Sequence, residues 1–151
     1  MRDDMRVGEG SGESALSVAV PLPIGRHCIM EFHQCAAETL NDAIAIEAIL
    51  YSAIEAGRLT LVHKFVHPFS PHGLTVAAVL QESHLVIHTW PELAFVAADL
   101  FTCGTKGAPD LVCATFIHAL RPHLHSLRCF EREALVPQQG PGRGGVHGPS
   151  K

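Results

Sequence analysis

The stretch QESHLVIHTWPE at residues 81–92 places several polar side chains in an otherwise apolar run. Glu82, Ser83, His84 and His88 stand there together. A polar group within an apolar strand requires either a hydrogen-bonding partner or a chemical task. Each histidine in such a place can be a ligand, a base or a plain surface residue. The stretch is therefore the first candidate for a functional site.

The residues of this stretch leave two explanations open. His84 and His88 are four residues apart and point to one side of a strand, where a solvated or interface face would accommodate them and Ser83 would be incidental. Alternatively, the two histidines bind a metal ion. Such a site would draw further ligands from Cys103, His63 and His67. No standard zinc-ligand spacing is present, which disfavours the metal site.

The elements that position these residues follow from the hydrophobic period of the chain. RHCIMEFHQ at 26–34 alternates as a strand does, with Cys28, Met30 and Phe32 on one face. Further runs rich in apolar residues are bounded by turn signals such as PFSPHG at 68–73. They predict strands at 59–67, 74–80, 83–89, 93–101 and 127–133.

Two helices are predicted from three- and four-residue spacing. The first runs from Glu38 to Ala56, and Gly57 is expected to end it in the left-handed conformation. The second opens at Pro109 and runs toward Pro122, because the missing N–H of proline costs nothing in a first helical turn. The apolar residues that define the first helix are Leu40, Ile44, Ala48, Tyr51 and Ile54.

The resulting order, β-α-β-β-β-β-α-β, has hairpin-length links between its central strands. It predicts an α+β fold: a two-layer α/β sandwich with a mainly antiparallel sheet and helices on one face. Runs such as VAAVL are apolar on both faces, so the uncovered face is expected to pack on something. A second copy of the chain in a two-fold dimer is the simplest partner, giving a four-layer αββα arrangement.

Length and composition exclude several classes of function. The 151 residues, 47% of them hydrophobic, suffice for one domain with its own core. The net charge of −4 and the scattered basic residues disfavour nucleic acid as a partner. The apolar run at 15–24 is too short to span a membrane, and acidic residues precede it, so a cytoplasmic protein is expected. The ends, 1–24 and 137–151, are expected to be disordered around a domain at 25–136.

The cysteines indicate reduced thiols. There are five, an odd number, and none form a CxxC pair, so neither a disulfide framework nor a zinc ribbon is suggested. They are Cys28, Cys35, Cys103, Cys113 and Cys129.

Four motifs together resemble those of the small bacterial and archaeal S-adenosylmethionine decarboxylases. They are GRHCIMEF at 25–32, HPFSPHGLT at 67–75, ESHLVIHTWPE at 82–92 and DLFTCG at 99–104. The likeness runs from Gly25 to Glu133. It implies decarboxylation of S-adenosylmethionine, which supplies the aminopropyl donor for spermidine synthesis.

The resemblance implies that the chain is a proenzyme that cuts itself between Glu82 and Ser83 and turns Ser83 into a pyruvoyl group. The Ser83 hydroxyl would attack the carbonyl carbon of Glu82 to give an ester, and a strained peptide would favour this shift. His88 is implied as the base that removes the Ser83 α-proton. Thr75 stands where the family usually has a serine that assists cleavage, and it keeps the hydroxyl but adds a methyl group.

The resemblance also implies how the substrate is handled, with no bound cofactor and no metal. The pyruvoyl carbonyl forms a Schiff base with the substrate amine and accepts the electron pair left by the departing carboxylate. Cys103 is implied as the proton donor, from a mostly apolar pocket in which a thiol stays protonated. Phe69 would stack on the adenine, Glu92 would bind the ribose hydroxyls, and Glu31 is placed near the site. His84 has no assigned task.

The resemblance implies a dimer whose two active sites lie at the interface, where the pyruvoyl group and cysteine of one chain meet residues of the other, and this agrees with the bare sheet face. Three alternatives stay open. The first is a pyruvoyl-dependent decarboxylase that acts on arginine or ornithine. It stays open because Gln81 departs from the family pattern and relatives on this fold decarboxylate those amino acids. The second is a His/Cys metal-binding module. The third is an uncleaved paralogue acting as a partner subunit, against which the retention of Ser83, His88 and Cys103 argues.

Overall fold

The computed structural model of the chain describes residues 19–103 and 107–137. The larger unit is Pro23–Ala134, and a second unit comprises residues 1–22 and 135–151, of which only 19–22 and 135–137 are described. The strands are β1 (Ala19–His33), β2 (Leu61–Pro68), β3 (Leu74–Leu80), β4 (Ser83–Trp90), β5 (Phe95–Thr102) and β6 (Leu124–Pro137). The helices are α1 (Ala37–Leu40), α2 (Ala43–Ala56) and α3 (Pro109–Leu120), and a 3-10 turn at Pro91–Leu93 joins β4 to β5.

The strands form one sheet in the order β2-β3-β4-β5-β1-β6. The pairs β2–β3, β3–β4, β4–β5 and β5–β1 are antiparallel. The first three join consecutive strands through short links, which allow only antiparallel neighbours. The helices cover one face of this sheet. The predicted α+β architecture, with a mainly antiparallel sheet and helices on one face, is confirmed.

Strand alternation builds the core between the sheet and the helices. In β4, Leu85 and Ile87 are buried, while the residues between them point to the other face. Phe32 of β1 packs on Phe116 of α3, with ring centroids 5.6 Å apart. The alternation predicted for β1 is confirmed, since its fully buried residues are Cys28, Met30 and Phe32.

The helix predicted at 38–56 is interrupted. The carboxylate of Asp42 accepts hydrogen bonds from the backbone N–H groups of Ile44 and Ala45, at 2.9 and 3.1 Å, and so caps a new helix. The restart turns a different face toward the core. Ile44 and Tyr51 were predicted on the buried face but are exposed, Ile44 by 81%. The residues of α2 that pack are Ile46, Ile49, Leu50, Ala53 and Ile54.

Gly57 does not have the predicted left-handed conformation. Its φ is −73°, and the positive φ of 54° belongs to Arg58. Glycine is needed at 57 for space: a Cβ there would lie 2.6 Å from Val112 Cγ2 of α3. The two helices can approach each other at this point because position 57 has no side chain.

Cys28 and Cys129 form a disulfide bond, so the expectation of reduced thiols is wrong for this pair. The two cysteines are 101 residues apart in sequence. They meet because β1 and β6 are neighbours in the sheet, which spacing along the chain does not reveal. Free thiols remain at Cys35, Cys103 and Cys113.

The described strands extend beyond the expected domain boundaries. β1 begins at Ala19, so the expected disorder of 1–24 is wrong for 19–24, and β6 ends at Pro137. The rest of both expected tails, 1–18 and 138–151, lies outside the described residues. Within the described ranges, every helix is too short or too polar to cross a membrane.

Candidate active site

The sheet face opposite the helices carries polar residues in rows set by strand register. Side chains directly opposite each other on adjacent antiparallel strands are about 5 Å apart. Residues distant in sequence therefore become neighbours across the sheet. One row crosses five strands through Glu31, Ala97, His88, Thr75 and His67.

Thr75 and His88 are in direct contact within this row. The Thr75 hydroxyl oxygen lies 2.7 Å from Nδ1 of His88, a short hydrogen bond that orients the imidazole ring. The indole of Trp90 lies beside the same imidazole, with ring centroids 6.0 Å apart. The two residues predicted to assist self-cleavage are thus held together by the pairing of β3 with β4.

A cavity of about 320 Å³ opens beside this pair, within the size range of small-molecule sites. The loop after β2 forms one wall, and the end of β4 with the 3-10 turn forms the other. Four residues predicted from sequence line it together: Phe69, Thr75, His88 and Glu92.

Two histidines support the aromatic ring and the carboxylate of this cavity. His72 Nε2 lies 3.2 Å from a carboxylate oxygen of Glu92, and both side chains are partly exposed. His67 meets the ring of Phe69 edge-on, with centroids 4.7 Å apart. Sequence reasoning gave His72 no role, although the segment HPFSPHG around it is dense in histidine and proline.

The backbone at the junction of Glu82 and Ser83 is strained. Ser83 has φ of 150°, a region that residues with a side chain rarely occupy. The backbone N–H of Cys103 donates a hydrogen bond of 2.8 Å to the Glu82 carbonyl oxygen. The Glu82 carboxylate accepts hydrogen bonds from Thr60, at 3.0 Å from the backbone N–H and 3.2 Å from the hydroxyl. Thr60, which had no role in the sequence prediction, thereby anchors this turn.

Cys103 follows the last residue of β5, next to the strand residue paired with Ser83. Its thiol is exposed in the single chain, which differs from the expected apolar pocket. The other free thiols are buried in the core. Burial raises the pKa of Cys35, and burial together with the nearby charge of Asp110 raises the pKa of Cys113.

Glu31 lies outside the cavity, although it shares a row with His88. A carboxylate oxygen of Glu31 accepts a hydrogen bond of 2.9 Å from the Ser126 hydroxyl of β6. Ala97 stands between Glu31 and His88 in the register. Glu31 is therefore on the same face of the sheet as the candidate site, as expected, but it does not line the cavity.

A second polar cluster surrounds His84. Its Nδ1 lies 3.4 Å from the Ser83 hydroxyl oxygen, and its Nε2 lies 3.2 Å from Oδ2 of Asp99. His27 Nε2 is 3.7 Å from the same carboxylate oxygen. The possible ligand atoms of His27, His84 and Asp99 all lie within 4.8 Å of one another. This trio differs from the His/Cys set considered from the sequence and shares only His84 with it.

The sequence profile of the family described as S-adenosylmethionine decarboxylase matches residues 26–133. The chain belongs to the S-adenosylmethionine decarboxylase family. The site residues predicted above all fall within the matched segment. Thr60, His72 and Asp99 fall within it as well.

Curated S-adenosylmethionine decarboxylase proenzymes from bacteria and archaea are similar to this chain. That of Parasynechococcus marenigrum is 40% identical over 110 residues, which cover 73% of this chain and 86% of the relative. That of Methanococcus maripaludis is 46% identical over 87 residues, covering 58% of this chain and 71% of the relative. The crystal structure of the adenosylmethionine decarboxylase from Aquifex aeolicus superposes with a TM-score of 0.71 at 27% identity, covering 80% of this chain and 98% of that one.

Proposed function

We propose that this chain is a proenzyme that cleaves its own Glu82–Ser83 bond, converts Ser83 to a pyruvoyl group and decarboxylates S-adenosylmethionine. The product would be the aminopropyl donor for spermidine synthesis. Membership of the S-adenosylmethionine decarboxylase family supports the reaction class. Proenzyme relatives support the self-cleavage.

The single observation that carries the proposal is the backbone at the Glu82–Ser83 junction. The strained φ of Ser83 raises the energy of the uncleaved chain, and an acyl shift would relieve that strain. Attack on the Glu82 carbonyl builds negative charge on its oxygen. The N–H of Cys103 already points at that oxygen from 2.8 Å, as an oxyanion donor should. The backbone thus polarises the carbonyl.

His88 serves the later step, the removal of the Ser83 α-proton from the ester, and in the proposed homodimer it would act on Ser83 of the other chain across the interface. Histidine is the side chain that most often carries out such a proton transfer. The hydrogen bond between His88 Nδ1 and the Thr75 hydroxyl fixes the ring. Nε2 is then the nitrogen that takes up the α-proton. Loss of the ester by elimination, followed by hydrolysis, would leave the pyruvoyl group at the new end of the chain.

The pyruvoyl group supplies an electron-accepting carbonyl that replaces a bound cofactor. The residues around Ser83 fit that group, because Ser83 pairs with Thr102, the residue before Cys103, and the Cys103 thiol is exposed. In the proposal Cys103 donates the proton that the substrate carbon takes up after carbon dioxide leaves. A second chain packed on this face would shield the thiol from water.

The cavity favours a nucleoside substrate over arginine or ornithine. Phe69 offers an aromatic face to a purine ring, and this face also suits a sulfonium cation nearby. Glu92 offers carboxylate oxygens to ribose hydroxyls, and His72 holds that carboxylate in place. Arginine and ornithine have neither a purine nor a ribose to use these groups.

The proposed assembly is a homodimer that covers the bare face of the sheet. Apolar side chains on that face remain exposed in the single chain, among them Ile29, Phe65, Val79, Trp90 and Phe130. An exposed sheet face of this kind is typical of a protein interface. A symmetric dimer would bury it and bring the two candidate sites toward the interface.

Intact mass spectrometry of the purified full-length chain tests the self-cleavage. We expect two fragments, residues 1–82 and residues 83–151, with a pyruvoyl group in place of Ser83 at the start of the second. Ser83→Ala removes the nucleophile and should give one uncut chain. A wild-type chain that stays uncut would overturn the proposal and favour the metal-binding module or an uncleaved partner subunit.

A decarboxylation assay on the cleaved protein tests the substrate. Carbon dioxide release is measured separately with S-adenosylmethionine, arginine and ornithine. We expect turnover with S-adenosylmethionine, and we expect Phe69→Ala and Glu92→Gln to raise its KM. Turnover of arginine or ornithine alone would keep the pyruvoyl chemistry but reject the nucleoside substrate.

A further inference from the structure

His84, which the proposed mechanism leaves without a task, lies between a hydroxyl and a carboxylate. Its Nδ1 is 3.4 Å from the Ser83 hydroxyl oxygen, and its Nε2 is 3.2 Å from Asp99 Oδ2. The side chains of His84 and Asp99 are both about two-thirds buried, with 38% and 33% of their surfaces exposed. A serine, a histidine and an aspartate are thus linked in series at the bond that is to be cut.

The strained backbone makes this contact possible. Adjacent residues of a strand normally point to opposite faces of the sheet, so the side chains of Ser83 and His84 would not meet. With φ of 150°, Ser83 departs from that geometry and its hydroxyl reaches the ring of its own neighbour. The same distortion that raises the energy of the peptide therefore brings the nucleophile to an imidazole.

The sheet holds the ring of His84 from two neighbouring strands. Asp99 of β5 pairs with Val86, two residues along β4 from His84, which places its carboxylate diagonally across from the imidazole. The rings of His27 and Phe101 lie beside it, each with its centroid 6.0 Å from that of His84, and their own centroids are 5.6 Å apart. These rings pack on one side of the imidazole, and the Asp99 carboxylate contacts its Nε2.

We propose that His84, oriented by Asp99, is the base that activates Ser83 for the acyl shift. This inference rests on the proposed self-cleavage and assigns its first proton transfer. The Nε2–H of His84 donates to Asp99, which leaves the lone pair of Nδ1 facing the Ser83 hydroxyl, the tautomer that a base requires. His88, engaged with Thr75, serves only the later elimination.

The proton transfers balance. Nδ1 of His84 takes the hydroxyl proton as the Ser83 oxygen bonds to the Glu82 carbonyl carbon, and charge develops on the oxygen that faces the Cys103 N–H. The bond between that carbon and the Ser83 nitrogen then breaks. His84 returns the proton to the departing nitrogen, so the products are an ester and a free amine, with no other reactant.

Within one chain, His88 is too distant to contact the Ser83 hydroxyl, whereas His84 Nδ1 lies 3.4 Å from it. It lies four residues beyond His84 on β4, roughly 13 Å along the strand. Its Nδ1 already contacts the Thr75 hydroxyl at 2.7 Å. The two imidazoles therefore belong to different rows of the sheet, and each has its own polar partner.

A metal ion is the competing use of the same residues. His27 Nε2 is buried and has no hydrogen-bond partner among the residues that the structure describes, and it faces Asp99 Oδ2 at 3.7 Å. A divalent cation bound there would take the place of the proton on His84 Nε2. Cleavage that is unchanged by a chelator supports the proton-transfer role. Cleavage that stops with chelator and returns with added zinc or magnesium overturns it.

The test follows cleavage of full-length chain over time, from its synthesis in a cell-free system, by intact mass. His84→Ala should slow cleavage by about 100-fold or more, the usual contribution of a general base. Asp99→Asn should slow it by a smaller factor, because the tautomer of His84 is no longer selected. His63→Ala is the matched control, an exposed histidine two strands away in the same row, and should cleave at the wild-type rate.

Hydroxylamine separates the two histidines, because it cuts esters but not amides. Uncut His84→Ala chain should resist hydroxylamine, since the acyl shift has not occurred, whereas uncut His88→Ala chain should be cut by it at the Glu82–Ser83 bond. Wild-type rates for His84→Ala, or a hydroxylamine-sensitive uncut form of it, would overturn the inference. If wild type itself is never cut, the proposed function fails instead.

Replacing the nucleophile distinguishes the loss of a base from misfolding of the His84→Ala variant. A thiol ionises far more readily than a hydroxyl, so Ser83→Cys needs a base less. His84→Ala should therefore reduce the rate of the acyl shift by a factor at least tenfold smaller in the Ser83→Cys background than in the Ser83 background. The rate is measured as the appearance of chain that hydroxylamine cuts. An equal loss in both backgrounds would indicate a merely structural role for His84.

Discussion

Thr75 and His88 form the shortest side-chain hydrogen bond within the candidate site. The hydroxyl and Nδ1 are 2.7 Å apart, and neither residue has another side-chain hydrogen bond among the described residues. Branching at Cβ restricts the χ1 rotamers that threonine can adopt. The extra methyl group that distinguishes Thr75 from serine therefore helps to hold the hydroxyl toward the imidazole rather than to block it.

Thr75→Val should slow self-cleavage, because it keeps the shape of the side chain but removes the hydroxyl. The loss of one partly buried hydrogen bond costs about 1–3 kcal/mol, which corresponds to about 5- to 150-fold in rate. Thr75→Ser is the control and should cleave within about threefold of wild type. Fragment masses followed over time measure both rates. Equal rates for valine and threonine at this position would remove the hydroxyl from the mechanism.

At the scale of secondary structure, the approach of α2 to α3 depends on Gly57. A Cβ at this position would meet Val112 Cγ2 at 2.6 Å, the Ala53 carbonyl oxygen at 3.1 Å and a Leu59 methyl group at 3.1 Å. Backbone conformation is not the constraint, because φ is −73° and any residue can adopt it. The helix layer that supports the back of the sheet is thus set by a steric fit at one residue.

Gly57→Ala should lower the free energy of unfolding by about 1–3 kcal/mol, the usual cost of overpacking. Denaturant unfolding would be measured in a Ser83→Ala background, so that the chain stays uncut. Val112→Ala removes the clashing methyl groups, and Gly57→Ala should cost less in its presence. Glu55→Ala, an exposed change in the same helical turn, should have an effect within about 0.5 kcal/mol. An additive double mutant would show that the contact with Val112 is not the cause.

At the scale of the whole molecule, the two faces of the sheet differ in what covers them. The helices bury one face, while the other presents apolar and histidine side chains to solvent in the single chain. The exposed thiol of Cys103 and the cavity containing Phe69 belong to the uncovered side of the site. Packing of a second chain there would complete the core and exclude water from the candidate site at the same time.

Phe65→Arg should weaken the proposed dimer at least tenfold, because it replaces an exposed apolar side chain of the uncovered face with a charge that is costly to bury at an interface. Phe65 is 59% exposed in the single chain and lies in the row that contains Ile29 and Asp99. Ile44→Arg is the control, since Ile44 is 81% exposed on α2 at the helical side. Sedimentation at several concentrations measures both. A wild-type monomer at all concentrations, or an unaffected Phe65→Arg dimer, would contradict this assembly.

Local patterns in the sequence were enough for the order of the elements and for most strand bounds. β3 occupies the predicted 74–80, and β4 begins at the predicted Ser83. The burial of alternate residues follows from a two-residue period that any strand obeys. The sequence did not predict the break at Asp42. The capping hydrogen bonds of its side chain compete with a continuous helix, and the hydrophobic spacing alone does not reveal whether the cap or the continuous helix is the more stable.

The sequence by itself determined the family, through motifs whose residue types are contiguous in the chain, and therefore which side chains could act. Only the tertiary structure decided which of them meet. Strand register places Thr75 against His88 and the carboxylate of Asp99 against His84, and the neighbouring positions of β1 and β6 join Cys28 to Cys129. The physical reason is that strand pairing depends on packing between segments far apart in the chain, which no local period records.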